Sequence, residues 1–170
     1  MTTLDPRSTA LVLIDLMDRI VANPLAPRTG SEVVEASLEL AREFRATGAP
    51  VVAVRVERPN VAEQPPGSGL VAEVAAVADE VVVKRTIGAF QGTGLDGLLR
   101  ARGVETLVFT GIATNLGVES SARAAGDHGY RLLFVEDAMA ALTAEEHRAS
   151  VDLDFPRLGE VVVVADVRLG

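Results

Sequence analysis

Three places in the chain carry residues that could do chemistry together. Asp15 directly follows the apolar run Thr9–Ile14, Lys84 follows Val81-Val82-Val83, and a glycine-bounded turn, Gly111–Gly117, follows the run Glu105–Phe109. An ammonium beside a carboxylate keeps it ionised, whereas burial pushes the same carboxyl toward holding a proton. An Asp–Lys pair in a dry cleft is therefore material for a general acid or base. The same two residues could equally be a plain ion pair at a sheet edge, and spacing alone favours that simpler reading. A strand that breaks at a glycine and turns at once into a helix leaves backbone N–H groups at the strand end, where an anion or oxyanion is stabilised.

Other polar residues have bland readings. Thr114 reads as a helix N-cap. Ser120 and Ser121 read as small packing residues, since no histidine of evident purpose lies near them. His128 stands at a helix end, where the dipole favours it. His147 falls in the exposed-looking run Glu145-Glu146-His147-Arg148. Arg55 ends a strand and could meet an anionic substrate or simply pair with a surface carboxylate. The chain has no cysteine and two histidines, which excludes disulfides, thiolate metal sites and redox thiols and argues against a histidine zinc site.

The elements that must position these residues alternate. Continuous apolar runs at 9–14, 51–56, 81–83, 105–110, 131–136 and 160–164 read as strands buried on both faces. Helical patterns lie between them: one opened by Ser31 as N-cap and closed by Gly48, a short one over 70–77, one over 92–102, one over 115–128, and one opened by the capping box Thr143–Glu146 and running to about Leu153. Residues 16–30 and 57–69, with their prolines and glycines, read as loops, and a loop as long as the second is often functional. Alternating strands and helices predict an α/β fold with a parallel sheet covered on both faces. In such sheets ligands bind at the carboxyl edge, where Asp15, Lys84 and the 111–117 turn converge.

At 170 residues, 48% hydrophobic and 24% charged, the composition is that of one globular domain, 1–170. A net charge of −8 without a basic stretch argues against nucleic-acid binding. No apolar run approaches the ~20 residues of a membrane span, and the first residues lack the plan of a signal peptide, so a cytoplasmic location is the default expectation.

The stretch Gly111-Ile112-Ala113-Thr114-Asn115-Leu116-Gly117-Val118-Glu119-Ser120 resembles the nucleophile turn of the isochorismatase-like hydrolases, also called cysteine hydrolases. Their usual pattern is Gly-x-x-Thr-Asn-x-Cys-Val, with the Cys as nucleophile, and Gly117 stands in its place here. Ile14-Asp15 matches the family's first motif, whose Asp is catalytic. Lys84 with Ala89, Phe90, Thr93 and Leu95 matches Lys-x-x-x-x-Ala-Phe-x-x-Thr-x-Leu, whose Lys is catalytic. The resemblance implies a three-layer, Rossmann-like domain with a six-stranded parallel sheet in the order 3-2-1-4-5-6. It also implies a non-proline cis peptide at Ile112–Ala113 that helps build an oxyanion hole. It points to Asp15, Lys84 and the position of Gly117 as catalytic, and to Phe90, Ile112, Ala113, Thr114 and Asn115, with Arg55 as a further candidate, as substrate-binding.

A homo-oligomer, dimer or tetramer, is implied too, as are a small-molecule substrate, no cofactor and no metal. The zinc set of nicotinamidase relatives has no histidine counterpart in the 52–69 region. Without a cysteine the covalent amidase route is closed. Isochorismatases proper also carry Gly at this position and hydrolyse a vinyl ether by protonation from the Asp. The expectation is therefore a hydrolase of a small metabolite with Asp15 as general acid or base and Lys84 beside it. The alternative is a catalytically inactive ligand-binding or regulatory homologue.

Overall fold

Short apolar runs rich in Val, Leu and Ile fit a pleated surface buried on both sides, and they form the sheet of the computed structural model, which describes residues 1–170. In chain order the elements are β1 (Thr2–Leu4), β2 (Thr9–Ile14), α1 (Asp18–Val21), α2 (Gly30–Thr47), β3 (Val51–Val56), α3 (Ala72–Val77), β4 (Glu80–Lys84), α4 (Leu95–Ala101), β5 (Thr106–Ile112), α5 (Glu119–Asp127), β6 (Arg131–Ala140), α6 (Ala144–Ala149), α7 (Phe155–Leu158), β7 (Glu160–Val162) and β8 (Val167–Leu169). Strands β4-β3-β2-β5-β6-β7 make one parallel sheet. Numbered within that sheet, the order is the expected 3-2-1-4-5-6. The strand order reverses between β2 and β5, which places a topological switch point between Asp15 and Gly111.

Alternate residues of each strand feed two apolar layers. Val12, Ile14, Val54, Phe109 and Phe134 face one side and meet Leu95 and Leu99 of α4, Ala122 of α5 and Phe155 of α7. Phe134 and Phe155 stack with ring centroids 3.9 Å apart. Leu11, Leu13, Val51, Ala53 and Val108 face the other side and meet Val33, Leu40, Ala41 and Phe44 of α2. One polar pair crosses that layer: Ser37 of α2 donates to Thr110 of β5 at 2.9 Å, so neither buried hydroxyl is orphaned. No helix is long and apolar enough to cross a membrane.

Several boundaries differ from those read in the sequence. The N-cap of α2 is Thr29, not Ser31: the Thr29 hydroxyl accepts from Glu32 N–H at 3.3 Å while the Glu32 carboxylate accepts from Thr29 N–H at 2.7 Å. Residues 16–30 contain the short helix α1. Helix α4 starts only at Leu95, after Gly92 has taken a left-handed turn at φ 68°. The helix opened by Thr143 continues beyond Leu153 through a wide π-type turn, Ser150–Asp154, into α7. Strands β1 and β8, which pair in parallel and tie the two chain ends together, have no counterpart in the sequence reading.

Candidate active site

Asp15 and Lys84 meet, although their strands do not. Strand β3 lies between β2 and β4, so their backbones are separated by two ladder spacings, ~10 Å. Only a long side chain closes that gap. Lys84 Nζ lies 2.9 Å from Asp15 Oδ2, and both side chains are buried, at 2% and 7% exposure. The ammonium also donates to the carbonyls of Ile87 at 2.6 Å and Thr86 at 3.3 Å, which uses its three protons. Asp15 is held at φ 53°, with its N–H donating to Val54 O at 2.9 Å and its carbonyl accepting from Met17 N–H at 2.8 Å. That turn aims its carboxyl along the sheet edge toward Lys84.

The second carboxyl oxygen, Asp15 Oδ1, is buried and has no hydrogen-bond partner. Burial pushes the Asp15 carboxyl above its ordinary pKa, against the opposing charge and hydrogen bond of Lys84 and the charge of Arg19. The pair is thus not symmetrical: one oxygen is tied to the ammonium and the other is free to carry or take a proton.

The turn after β5 faces this pair. The Ile112–Ala113 peptide is cis. Ala113 N–H donates to nothing in the chain, and Ala113 lines the same cavity as Asp15, Lys84, Ile112 and Gly117. A wide π-type turn, Thr114–Val118, then leads into α5. A Cβ on Gly117 would come 3.0 Å from Asp15 Oδ2 and 3.0 Å from Ile14 Cγ2. The Asp15 carboxyl therefore closely approaches position 117, and a side chain there would have to displace it by a few tenths of an ångström. The cavity these residues share measures about 410 Å³ and opens to solvent past Ile87, Leu116 and Leu142.

Four of the residues anticipated for the substrate lie elsewhere. Phe90 is buried in the core beneath Tyr130, with ring centroids 6.1 Å apart. Arg55 is committed to Glu57 at 2.7 Å and does not line the cavity. Asn115 is half-buried, outside the cavity lining, with its Oδ1 buried and unpartnered. Thr114 is not an N-cap, because the capping position falls on Ala113 and no side chain caps this turn. Its hydroxyl is buried against His147 Nδ1 at 2.8 Å instead. Nowhere do three or more His, Asp or Glu side chains converge as metal ligands would.

Two supporting residues escaped the sequence reading. Ser121, buried, donates to Gly117 O at 2.6 Å and accepts from Ala89 N–H at 2.9 Å, so it ties the segment after Lys84 to the turn after β5. His147 is buried rather than exposed; its Nε2 lies 3.8 Å from Glu136. Burial and the nearby Arg28 charge hold its pKa below the ordinary 6.5, against Glu136. A histidine kept neutral in the fold gains a proton on unfolding, so its contribution is complete above about pH 6.5 and is lost as pH falls toward the lowered value. Denaturant unfolding across that range is expected to show stability declining with acid in the wild type, and a shallower decline in His147→Asn. Equal slopes would mean that His147 is protonated in the fold as readily as in the unfolded chain.

Residues 9–166 match the family model described as the isochorismatase domain. The chain is 39% identical to the isochorismatase family protein YecD of Escherichia coli O157:H7, over 98% of each chain. The solved structure of an isochorismatase family protein from Burkholderia thailandensis has a TM-score of 0.87 at 39% identity, covering 97% of this chain and 95% of that one. A shorter stretch is 46% identical over 70 residues to the ureidoacrylate amidohydrolase RutB of Variovorax paradoxus (strain S110), covering 41% of this chain and 28% of that protein. With the model spanning residues 9–166 and a 39% identical relative matched over 98% of each chain, this chain belongs to the isochorismatase family.

Proposed function

We propose that this chain is a hydrolase of a small metabolite that works without a covalent nucleophile, with Asp15 as the proton-transferring group and Lys84 as the group that fixes it. The observation that carries this reading is the unpartnered, buried Asp15 Oδ1 beside an Oδ2 locked 2.9 Å from Lys84. An unsatisfied buried oxygen is costly, and such costs are retained where a ligand completes the bond. Protonated, Oδ1 donates to the substrate, as the carbon of a vinyl ether requires. Water then adds to the resulting oxocarbenium ion and sheds a proton back to Asp15, and the hemiketal so formed breaks its other C–O bond, its hydroxyl proton passing to the departing oxygen, to leave a carbonyl compound and the alcohol. The Ala113 N–H, unpaired within the chain at the cavity lining, would be a donor for a substrate oxygen. Gly117 supports a non-covalent route, because it carries no side chain that could attack and the chain has no cysteine elsewhere.

The test is turnover of isochorismate beside a panel of small amides, by the wild type, Asp15→Asn and Lys84→Ala. Vinyl-ether turnover that falls about 100-fold or more in each variant supports Asp15 as the acid. Because the acid form is the active one, wild-type turnover should also fall as pH rises through the elevated Asp15 pKa. Turnover of amides in place of isochorismate would mean that water is activated by Asp15 as a base and that the acid role is wrong. Small ligands that bind without any turnover would leave a non-catalytic binding protein.

A further inference from the structure

His147 is a buried titratable side chain that the Asp15–Lys84 chemistry leaves unused. It is 4% exposed and sits on α6, whose N-cap Thr143 directly follows Leu142, a wall of the cavity. Its ring reaches across to the turn after β5, where Nδ1 lies 2.8 Å from the Thr114 hydroxyl, a group with no other hydrogen-bond partner. Glu136 stands 3.8 Å away on the Nε2 side, which favours the tautomer with its proton there. Nδ1 is then the acceptor and the Thr114 hydroxyl the donor.

Thr114 matters because of the residue before it. Ala113 carries the unpaired N–H at the cavity lining, and its carbonyl accepts from Leu116 N–H at 3.1 Å and Val118 N–H at 3.2 Å. Those bonds lie within the turn and shape it. Two side-chain hydrogen bonds tie it to its neighbours. Ser121 links Gly117 O to Ala89 N–H at the far end, and His147 takes Thr114 at the near end, one residue from the Ala113 donor.

We infer that His147 is a positioning residue for this site: by accepting from Thr114, its neutral ring fixes where the Ala113 N–H points beside Asp15. This rests on the hydrolase reading for the use made of that N–H. A second ring proton would enter at Nδ1, where the Thr114 hydroxyl needs a lone pair. The bond reverses, and the hydroxyl hydrogen, with no second acceptor, is stranded in a buried place until Thr114 turns. The charges that act on the ring are Arg28, from the segment before α2, Glu136 of β6 and Asp152 of the turn after α6; Glu145, Glu146 and Arg148 flank it on α6. Burial and Arg28 oppose the second proton against Glu136 and Asp152, so the ring is neutral, and the tether intact, down to a pH below the ordinary 6.5.

The test is a pH titration of the full ¹⁵N-labelled chain by NMR. The Ala113 and Thr114 amide signals are expected to move together with the His147 ring signals, with one midpoint below pH 6.5. Asp15→Asn should keep that movement, which separates it from titration of Asp15. In Thr114→Val the ring should still titrate while the Ala113 signal stays within about a fifth of its wild-type movement, because the charge is still present and only the hydroxyl is gone. An Ala113 signal that ignores His147, or follows it equally in Thr114→Val, would overturn the inference. Isochorismate turnover gives the second arm. Thr114→Val should lower kcat/KM about 10-fold or more, and Thr114→Ser, which restores the hydroxyl, should stay within about threefold of the wild type. The wild-type kcat/KM should also decline in acid with the midpoint of the His147 ring, a decline absent from His147→Asn, whose amide bonds Thr114 but gains no proton. The two readings fail separately. Coupled signals in a chain that turns over nothing sink the hydrolase reading and leave His147 holding the turn. Turnover unchanged in Thr114→Val sinks the positioning role alone.

Discussion

Lys84→Met is expected to cost about 3–5 kcal/mol of folding stability near neutral pH, as removal of one member of a buried pair does. The methionine fills nearly the same volume, so little of the loss comes from packing. What it removes is the only partner of Asp15 Oδ2, in a carboxyl whose Oδ1 already has none. The variant is left with a buried, wholly unpaired carboxyl, and also with the Ile87 and Thr86 carbonyls lacking the ammonium they accepted from. Its pH dependence separates these causes. Burial already raises the Asp15 pKa, and Lys84 is the main opposing influence. Without it, the folded-state value rises further above the ordinary 3.8. A carboxyl whose folded pKa exceeds its unfolded pKa holds an extra proton in the fold. The associated stability is complete below the unfolded value and is lost as pH rises through the folded one. The deficit of Lys84→Met should therefore be small at about pH 4.5 and largest at about pH 8. Adding Asp15→Asn should recover much of it at the higher pH, since no charge then remains buried. A deficit equal at both pH values would place the cost in the lost carbonyl bonds and not in the carboxylate.

The same pair shows what the sequence makes legible. Parallel strands buried on both faces read as unbroken apolar runs, and the first polar residue after such a run must stand at the sheet's carboxyl edge. That is why Asp15 and Lys84 could be set at one sheet edge from the sequence, whereas the strand order came with the family resemblance and not from the apolar runs. The edge's wider surroundings obey no such rule. Arg55 reads in the sequence as either a substrate-facing cation or one paired with a surface carboxylate, and the fold settles it with Glu57 turned back onto it. Three residues on, the Arg58 backbone is held by Gln64, which lies in a loop with no periodicity to place it. Phe90 belongs to the motif that surrounds Lys84, but its ring completes the core with Tyr130.

His147 is a different kind of miss, because a signal was present. The capping box Thr143–Glu146 fixes the helix start, and positions 144, 147, 150 and 151 then fall on one face with Ala, His, Ser and Val. Apart from the histidine that face carries only small or apolar, uncharged residues, which argues for burial. The flanking Glu145, Glu146 and Arg148 obscure it when the segment is read as a run of charges and not as a helix. Burial of His147 in turn explains why Thr114 is not a cap: its hydroxyl has a buried nitrogen to satisfy. The pairing of β1 with β8 joins three-residue segments at opposite chain ends, too short for any pattern to register.

Gly111→Ala is expected to cost about 4 kcal/mol or more, because two separate mechanisms act at once. Gly111 sits opposite Ile14 in the β2–β5 ladder, at φ 125°, where a side chain is strained whatever the space around it. There is also no space. A Cβ would lie 2.1 Å from Ile14 O and 2.7 Å from Ile14 N, both backbone atoms of the adjoining central strand. A flexible side chain could swing aside, but backbone cannot, so β2 and β5 would have to part at their carboxyl ends. Those are the ends that hold Asp15 on one strand and the Ile112–Ala113 turn on the other. Any Gly111→Ala protein that does fold should therefore lose turnover out of proportion to its remaining stability, since a small displacement there moves Asp15 away from both Lys84 and the turn. Gly97→Ala is the matched control: it lies on the exposed face of α4 with nothing within 4 Å of the added methyl. There the same substitution should leave stability unchanged or raise it by up to about 1 kcal/mol through helix propensity. Thermal unfolding of the two variants side by side checks the contrast. A Gly111→Ala melting temperature close to that of Gly97→Ala would mean that β2 and β5 can separate without cost, and that the close approach at Ile14 does not fix the site.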